Sequence, residues 1–342
     1  MKFTQVDKLE PGMMLVKPIY DERGVCLVAA NKVLTTPLIR QIDKLGYPGA
    51  YVFDKYTEFE EYNQIISEDD RNKLAKSLER LNIDQVLYMT NNLVNSMLEK
   101  DDLLLDLTEL RNHHNYTYQH SINVSMLSTA CGIGLGLTVE QLNDLALAAM
   151  LHDIGKSAID KEILDKPGAL TPEERKIIEQ HPRFGYNMIY SHIDIDSYVR
   201  TGILYHHENW DGSGYPNQLR GDDIPLFARI IHVADVYDAL CAKRAYKEEY
   251  NPAEALEYLM GNCGIMFDYD IVKTFIRYVV VYPVGIDVDL STGQVARVIK
   301  NRAESVLRPI VMLEDGTTLD LARDRNCVNI TILSNDSEYK TI

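Results

Sequence analysis

One stretch limits what this chain can fold into more than any other: Leu147-Ala148-Ala149-Met150-Leu151-His152-Asp153-Ile154-Gly155-Lys156. Upstream, Thr138 and Gln141 have the spacing of a capping box and predict a helix start. Leu142, Leu145, Ala146, Ala149 and Met150 then recur at helical spacing, and Asp153 falls on the same apolar face. A carboxylate on an apolar face has to be paired, protonated or bound to a metal. Gly155 is the expected helix stop, and Lys156 brings a cation next to the His-Asp pair. Taken alone, these residues favour the plainer reading, a helix end carrying a surface His-Asp pair.

The histidine distribution shifts that balance. All nine histidines lie between positions 113 and 232. Neutral imidazole is a common ligand of first-row metals, so such crowding points to a metal centre in the middle of the chain. His120 lies in a helix that runs on through Val124 and Leu127. His181 precedes Pro182, at the expected end of a helix opened by Thr171, Pro172 and Glu174. Adjacent helical residues point about 100° apart, so His206 and His207 can share a site only near a helix end. Gly212-Ser213-Gly214 supplies that end. Asp235 sits mid-helix between Ala234 and Val236, a poor place for an unpaired charge. With His152 and Asp153 the inventory is five imidazoles and two carboxylates. Two metals held about 3.5–4 Å apart need several imidazoles and a carboxylate able to bridge. The set suits Fe, Mn, Ni or Co better than Mg or Ca, and is richer than one catalytic Zn requires. Each histidine has a plainer reading as a core residue, and Asp235 could cap a helix or pair with Arg229. His113, His114, His192 and His232 are read as surface or core residues, not ligands.

The formal net charge of −16 argues against a nucleic acid polymer as partner, because neutralising many phosphates needs a basic surface. A small anion is still admissible where bound cations make a pocket locally positive. No apolar run reaches the length of a membrane span, and the first residues show no secretory signal. The five cysteines are scattered, odd in number and form no CxxC. Free thiols in a cytoplasmic protein are expected.

In chain order, residues 1–58 read as a small α+β module, with strands at Met13–Val16, Val25–Val28 and Tyr51–Phe53 and a helix capped by Thr36. Residues 59–100 read as a polar linker and a long helix that could pair in a homodimer. Residues 101–281 carry helical signals throughout, with further starts at Asn251-Pro252 and a core stripe through Leu226, Ile230, Val233, Tyr237 and Leu240. Residues 282–342 alternate with period two, through Val288, Leu290, Val295, Val298, Ile310, Met312, Leu319 and Leu321. Turns at Ser291-Thr292-Gly293 and Asp315-Gly316 mark a small antiparallel β unit. The expected class is mainly α: a helical bundle flanked by an N-terminal α+β module and a C-terminal β subdomain.

The ordered motifs resemble the HD-GYP branch of the HD-domain phosphohydrolases. The resemblance covers roughly residues 100–280. It rests on Tyr118-Gln119-His120-Ser121, His152-Asp153-Ile154-Gly155-Lys156, His181-Pro182 with Gly185, and His206-His207-Glu208 running into Gly212-Ser213-Gly214-Tyr215-Pro216. It continues through Ala228–Leu240, with Asp235, and into Arg244-Ala245-Tyr246-Lys247. The resemblance implies an all-helical HD-type bundle and a cyclic di-GMP phosphodiesterase, cutting to linear pGpG and on to GMP with a hydroxide bridging two metals. It implies His120, His152, Asp153, His181, His206, His207 and Asp235 as ligands, with Asp153 bridging. It places Lys156 at the scissile phosphate, Arg244 and Lys247 on substrate phosphates, and Tyr215 at the pocket border. The implied cofactors are two divalent transition metal ions, iron or manganese foremost, with nickel, cobalt or zinc as alternatives. Two departures stand out. Ala245 replaces the family's usual proline, and Tyr116 stands where members with a third metal carry a glutamate, so a third metal is not expected. Two other readings stay open: a phosphodiesterase for another cyclic dinucleotide such as cyclic GMP-AMP, and a cyclic-dinucleotide receptor that does not hydrolyse.

Overall fold

The computed structural model describes residues 1–20, 26–47, 49–53, 65–100, 103–106, 116–166, 168–192, 195–242 and 250–333. The chain divides into two compact units. One is Met1–Gln64 with Asp106–His114 and Val280–Ile342; the other is Ile65–Leu105 with Asn115–Val279.

In the first unit, β1 (Lys2–Gln5) pairs antiparallel with β4 (Gly49–Val52), and β2 (Ile19–Tyr20) with β3 (Cys26–Val28). Helix α1 (Thr36–Lys44) lies between β3 and β4 in sequence, and Leu15, Leu34, Ile42 and Val52 share one apolar cluster. The N-cap is Thr35 rather than Thr36, and Gly46 takes φ +74 beyond the helix end. Met13–Val16 is not a full strand; Met14 and Leu15 make only single bridges, to Val33 and Val52. β1 and β2 went unread because two to four residues carry too little alternation to register.

The same unit holds a four-stranded antiparallel sheet in the order β5 (Asp287–Asp289), β6 (Val295–Lys300), β7 (Ile310–Leu313), β8 (Thr318–Asp320). Gly293 and Gly316 adopt φ +81 and +87 in the two expected turns. Val288, Ala296, Val298 and Val311 form its buried face. The expected phase was wrong at two places: Val295 is 45% exposed, while Val311, not Met312, is buried. Period two cannot bury both Val295 and Val298, and the unbroken run Ile310–Leu313 hides its own phase. Phe3 N–H donates to Gly285 O at 3.0 Å, and Lys2 pairs with Asp287 at 3.4 Å, so the first strand and the C-terminal segment belong to one unit.

The second unit is helical: α2 (Glu68–Glu79), α3 (Ile83–Leu98), α4 (Tyr116–Gly134), α5 (Val139–Leu151), α6 (Lys161–Leu164), α7 (Pro172–Ile178), α8 (His181–Tyr190), α9 (Ser197–Tyr205), α10 (Leu226–Cys241), α11 (Pro252–Gly261) and α12 (Tyr269–Phe275). Thr138, Thr171 and Asn251 each make a full capping box. Every residue of α5 from Leu145 to Leu151 is buried, as is most of α10. Helices buried on most of their faces run through an interior, as the second half of α5 and most of α10 do, and the polar groups that α10 buries there have to be partnered. Small residues set how closely their neighbours approach. A Cβ on Gly132 of α4 would lie 2.8 Å from Leu145, and one on Gly202 of α9 would lie 3.0 Å from the Cβ of Ala148.

The expected long helix is two helices, α2 and α3. They part at Leu81, which holds φ +55. Leu81 N–H donates to Leu78 O at 3.0 Å and Asn82 N–H to Ser77 O at 2.9 Å, the paired closure that usually has glycine at this position. Leu81 is 45% exposed. A left-handed L-residue costs about 1–2 kcal/mol, and glycine's extra chain entropy offsets about half of that. Leu81→Gly should therefore raise the unfolding midpoint by about 1–3 °C. Calorimetry checks this, and a lowered midpoint would show that Leu81 packing outweighs the backbone strain.

Candidate metal centre

Five helices deliver the candidate ligands, two of them by ending and one by beginning. α5 stops at Leu151, before Gly155; His152 is its C-cap, and Asp153 (φ −98, ψ 4) leads into a 3₁₀ turn, Ile154–Ala158. Gly155 therefore does not stop the helix. It allows close approach: a Cβ there would lie 2.0 Å from His181 O and 2.5 Å from Gly185 N. His181 is the first residue of α8 rather than the last of α7, because α7 ends at Ile178 and Pro182 suits a first turn. α9 ends at Tyr205, so His206 is its C-cap and His207 follows, as adjacent ligands at one site require. α4 supplies His120 and α10 supplies Asp235.

The side chains meet. His120 Nε2 lies 3.0 Å from Asp235 Oδ1 and 4.0 Å from Asp153 Oδ2. His152 Nε2 is 3.4 Å from Asp153 Oδ2 and 3.9 Å from Asp235 Oδ1. On the other side, His181 Nε2 is 3.3 Å from Asp153 Oδ1 and 3.3 Å from His206 Nε2. His207 Nδ1 is 4.0 Å from Asp235 Oδ2. Three overlapping donor groups result, His120-His152-Asp153, Asp153-His181-His206-His207 and His152-His206-Asp235, each with its donor atoms within 4.8 Å. Asp153 belongs to the first two and turns a different oxygen to each. Asp235 also spans the pair, with Oδ1 towards His120 and His152 and Oδ2 towards His207.

The far side of each ring is anchored. His152 Nδ1 bonds Ala149 O at 2.7 Å, His181 Nδ1 bonds Ile178 O at 2.8 Å, and His206 Nδ1 bonds Ile203 O at 2.7 Å. A carbonyl only accepts, so each Nδ1 carries a proton and each ring turns its Nε2 to the centre. Buried His152 Nε2 has no hydrogen-bond partner, and His181 Nε2 and His206 Nε2 face one another at 3.3 Å. Imidazole nitrogens converging on two carboxylates in a dry interior suit a cation. The donor set thus fits divalent metal ions.

Electrostatics agree. Burial alone would raise the Asp153 carboxyl, but Lys156 and the imidazoles of His152 and His181 hold it well below the usual carboxylate range. Burial opposes ionisation of Asp235 too, and His120 outweighs it. Burial, reinforced by neighbouring imidazoles, pushes His206 and His207 well down and keeps them neutral, although Asp235 works against this at His207. His120 is the exception: burial would lower it, yet Asp235 and Asp238 raise it well above the ordinary value. A cation taking Nε2 of His120 displaces a proton there.

The remaining candidates surround this core. Lys156, on the 3₁₀ turn, donates to Asp153 Oδ2. Tyr215 stacks on His207, with ring centroids 4.8 Å apart at 29°. Its loop is tied down by Glu208, whose oxygens accept from Asn217 N–H at 2.7 Å and Leu219 N–H at 3.0 Å. A Cβ on Gly214 would lie 2.4 Å from His207 O, so the loop folds back on the ligand it follows. His232 is buried 3.1 Å from Asn209 Oδ1, and burial lowers it to about 4. Arg244 and Lys247 lie outside the described residues, as do His113 and His114. Sequence reasoning missed Asp238, which accepts from His120 Nδ1 at 2.7 Å, although its i,i+3 relation to Asp235 on one helix face is a usable signal.

Comparison with known proteins follows the same segment. The family model described as "HD domain" matches residues 102–271. The chain is 38% identical over 216 residues to "Cyclic di-GMP phosphodiesterase PA4108" of Pseudomonas aeruginosa, covering 63% of this chain and 52% of that protein. It is 44% identical over 146 residues to "Cyclic di-GMP phosphodiesterase response regulator RpfG" of Xanthomonas campestris pv. campestris, covering 42% and 38%. It is 32% identical over 252 residues to "3'3'-cGAMP-specific phosphodiesterase 2" of Vibrio cholerae, covering 68% and 46%. The chain thus spans about half the length, or less, of these relatives. Among solved structures, the fold resembles Bd1817, an HDG"Y"P protein from Bdellovibrio bacteriovorus, with TM-score 0.50 and 20% identity, covering 80% of this chain and 97% of that one. Residues 102–271 of the chain thus belong to the HD-domain family, with the Gly214-Tyr215-Pro216 loop beside the candidate ligands.

Proposed function

We propose that this chain is a metal-dependent phosphodiesterase that hydrolyses cyclic di-GMP to the linear dinucleotide. The observation that carries the reading is one buried carboxylate, Asp153, serving two imidazole-rich donor groups with its two oxygens. Relatives named as cyclic di-GMP phosphodiesterases support the substrate.

His120, His152, His181, His206, His207, Asp153 and Asp235 would hold two divalent ions, with iron or manganese our choice for so many nitrogens. Ions held there supply Lewis acidity and acidify a coordinated water. The chain contributes the rest. Asp153 and Asp235 stay ionised and His206 and His207 neutral, which is the protonation state that metal binding needs. Water adds to phosphorus as the bond to the leaving 3′ oxygen breaks, and that oxygen takes up a proton. The Lys156 ammonium, 28% exposed at the edge of the centre, stabilises charge building on a phosphoryl oxygen. Tyr215, stacked on His207, also lines a cavity of about 370 Å³ with Leu170, Arg175, Ile178 and Glu179. Leu170 and Ile178 give apolar walls for a purine, and Tyr215 gives a ring edge. Arg175 Nε donates to Glu179 Oε1 at 2.9 Å here; opened from that pair, the Glu179 carboxylate suits the N1–H and exocyclic amine of guanine, and Arg175 its O6 and N7. Arg244 and Lys247 would grip the substrate's phosphates.

A cyclic GMP-AMP substrate is the competing reading, motivated by the Vibrio cholerae relative so named. Rates on cyclic di-GMP, cyclic GMP-AMP and cyclic di-AMP, with product analysis for linear dinucleotide and GMP, decide between them. Fastest turnover on cyclic di-GMP supports the proposal. Tight binding with no product in metal-loaded protein would instead favour a receptor.

Two variants test the site. Asp153→Ala should lose both ions, taking metal content from about two per chain to near zero by atomic emission, because both donor groups use it. Retention of full metal would refute the shared carboxylate. Lys156→Ala should keep its metal and its KM while kcat falls by about 10²–10³-fold; an unchanged kcat removes Lys156 from the reaction.

A further inference from the structure

A buried cation in the helical unit stands outside the chemistry above. Arg71, on α2, is 2% exposed. Its Nη1 donates to Asn123 Oδ1 at 3.0 Å and to Gln119 Oε1 at 3.2 Å, and its Nη2 lies 3.5 Å from Met126 Sδ. Asn123 Nδ2 donates to Asp238 Oδ1 at 3.0 Å. Asp238 Oδ2 accepts from His120 Nδ1 at 2.7 Å, and His120 Nε2 faces Asp235 and Asp153. All of these side chains except Gln119 and Met126 form one unbroken polar line from α2 to a ligand, and Asn123, Asp238 and His120 are 6%, 5% and 6% exposed.

We propose that Arg71 is a positioning residue for the metal centre, setting the His120 ring through Asn123 and Asp238. The argument follows from donor and acceptor types. Guanidinium donates and never accepts, so Asn123 has to present Oδ1 to Arg71 and its amine to Asp238. That amine occupies Asp238 Oδ1 and leaves Oδ2 for His120 Nδ1–H. The His120 tautomer and ring plane are then fixed, with Nε2 turned to the cation. Without Arg71, Asn123 Oδ1 loses its charged donor and the amide is held from one side only, by Asp238, so the line that sets Asp238 and the His120 ring loosens. Among the described ligands His120 is the one held by this relay; His152, His181 and His206 lean on backbone carbonyls of nearby helix ends instead. The effect of Arg71 is therefore local to the His120 side. The proposal rests on the metal-binding part of the reading above and is independent of which diester is cut.

Cobalt(II) titration of the full chain, followed by ligand-field absorption, tests it. Wild type should take up two equivalents, about two per chain. Arg71→Met should weaken one equivalent by about 10–100-fold and leave the other unchanged. Arg71→Lys, which keeps a donor to Asn123, should recover part of the loss. Gln119→Ala, which removes another acceptor of Arg71 outside the relay, should change neither equivalent. A role confined to stability would lower the unfolding temperature of Arg71→Met with both equivalents bound as in wild type, and that result overturns the proposal. Equal weakening of both equivalents overturns it as well, since it would report general loosening. Should Arg71→Met fail to fold, Asn123→Ala cuts the relay while leaving Arg71 its contacts with Gln119 and Met126. One weakened equivalent in that variant supports the proposal, and two normal ones refute it. Wild-type protein that binds no cobalt would sink the metal reading itself, whereas normal binding without hydrolysis would sink only the assigned reaction.

Discussion

Two ionised carboxylates sit where water does not reach, and the helical unit is arranged around keeping them charged. Asp153 and Asp235 are 5% and 9% exposed. Moving a carboxylate into such an interior costs several kcal/mol unless charge or hydrogen bonds compensate. Here the compensation comes from imidazoles on four different helices or helix ends, with Lys156 beside them. No single helix could assemble it, so the packing of α4, α5, α8, α9 and α10 and the electrostatics of the centre are one problem. His181 Nε2 and His206 Nε2 face each other at 3.3 Å, and a positive charge between them favours that arrangement.

Close backbone approach solves the geometric half of that problem. Glycine at 155 lets the start of α8 lie against the turn after Asp153, which is how His181 comes to within 3.3 Å of Asp153 Oδ1. Glycine at 202 against Ala148 draws α9 onto α5, which places the His206 ring 4.9 Å from that of His152. Glycine at 214 folds the following loop onto His207, so Tyr215 stacks there. In each case a methyl group would push apart the backbones whose distance sets a ligand's reach.

Much of this was legible before any coordinates, and the parts that were not have physical reasons. Capping boxes at Thr138, Thr171 and Asn251 are local chemistry, so their helix starts could be read to the residue. The candidate ligands were legible because imidazole and carboxylate types are informative and cluster in one third of the chain. Helix ends were less legible. Gly155 looked like a stop, yet its role is a contact with residues about thirty positions away, which no local pattern encodes. Leu81 breaks a helix with no glycine to announce it. In β6 and β7 a run of apolar residues concealed which face was buried. Asp238 and Asn123 were hidden for another reason: each acts through a neighbour, and spacing reveals helix faces but not hydrogen-bond lines.

The three anchored rings also explain why helix ends recur here. His152, His181 and His206 each bond the carbonyl three residues before them, at the last turns of α5, α7 and α9. Those are carbonyls that a helix terminus leaves without an internal partner. One hydrogen bond therefore satisfies an orphan acceptor and fixes a ligand's tautomer at the same time. The termini bring something more, since a helix C-terminus carries the equivalent of about half a negative charge. Three of them converge on the same pocket, adding to two carboxylates. The field is one that attracts multivalent cations and, without them, repels a phosphodiester. On a chain whose formal charge is −16, the cations are what would make an anionic substrate welcome. On the proposed reading, metal binding and substrate binding are coupled by charge before any bond is broken.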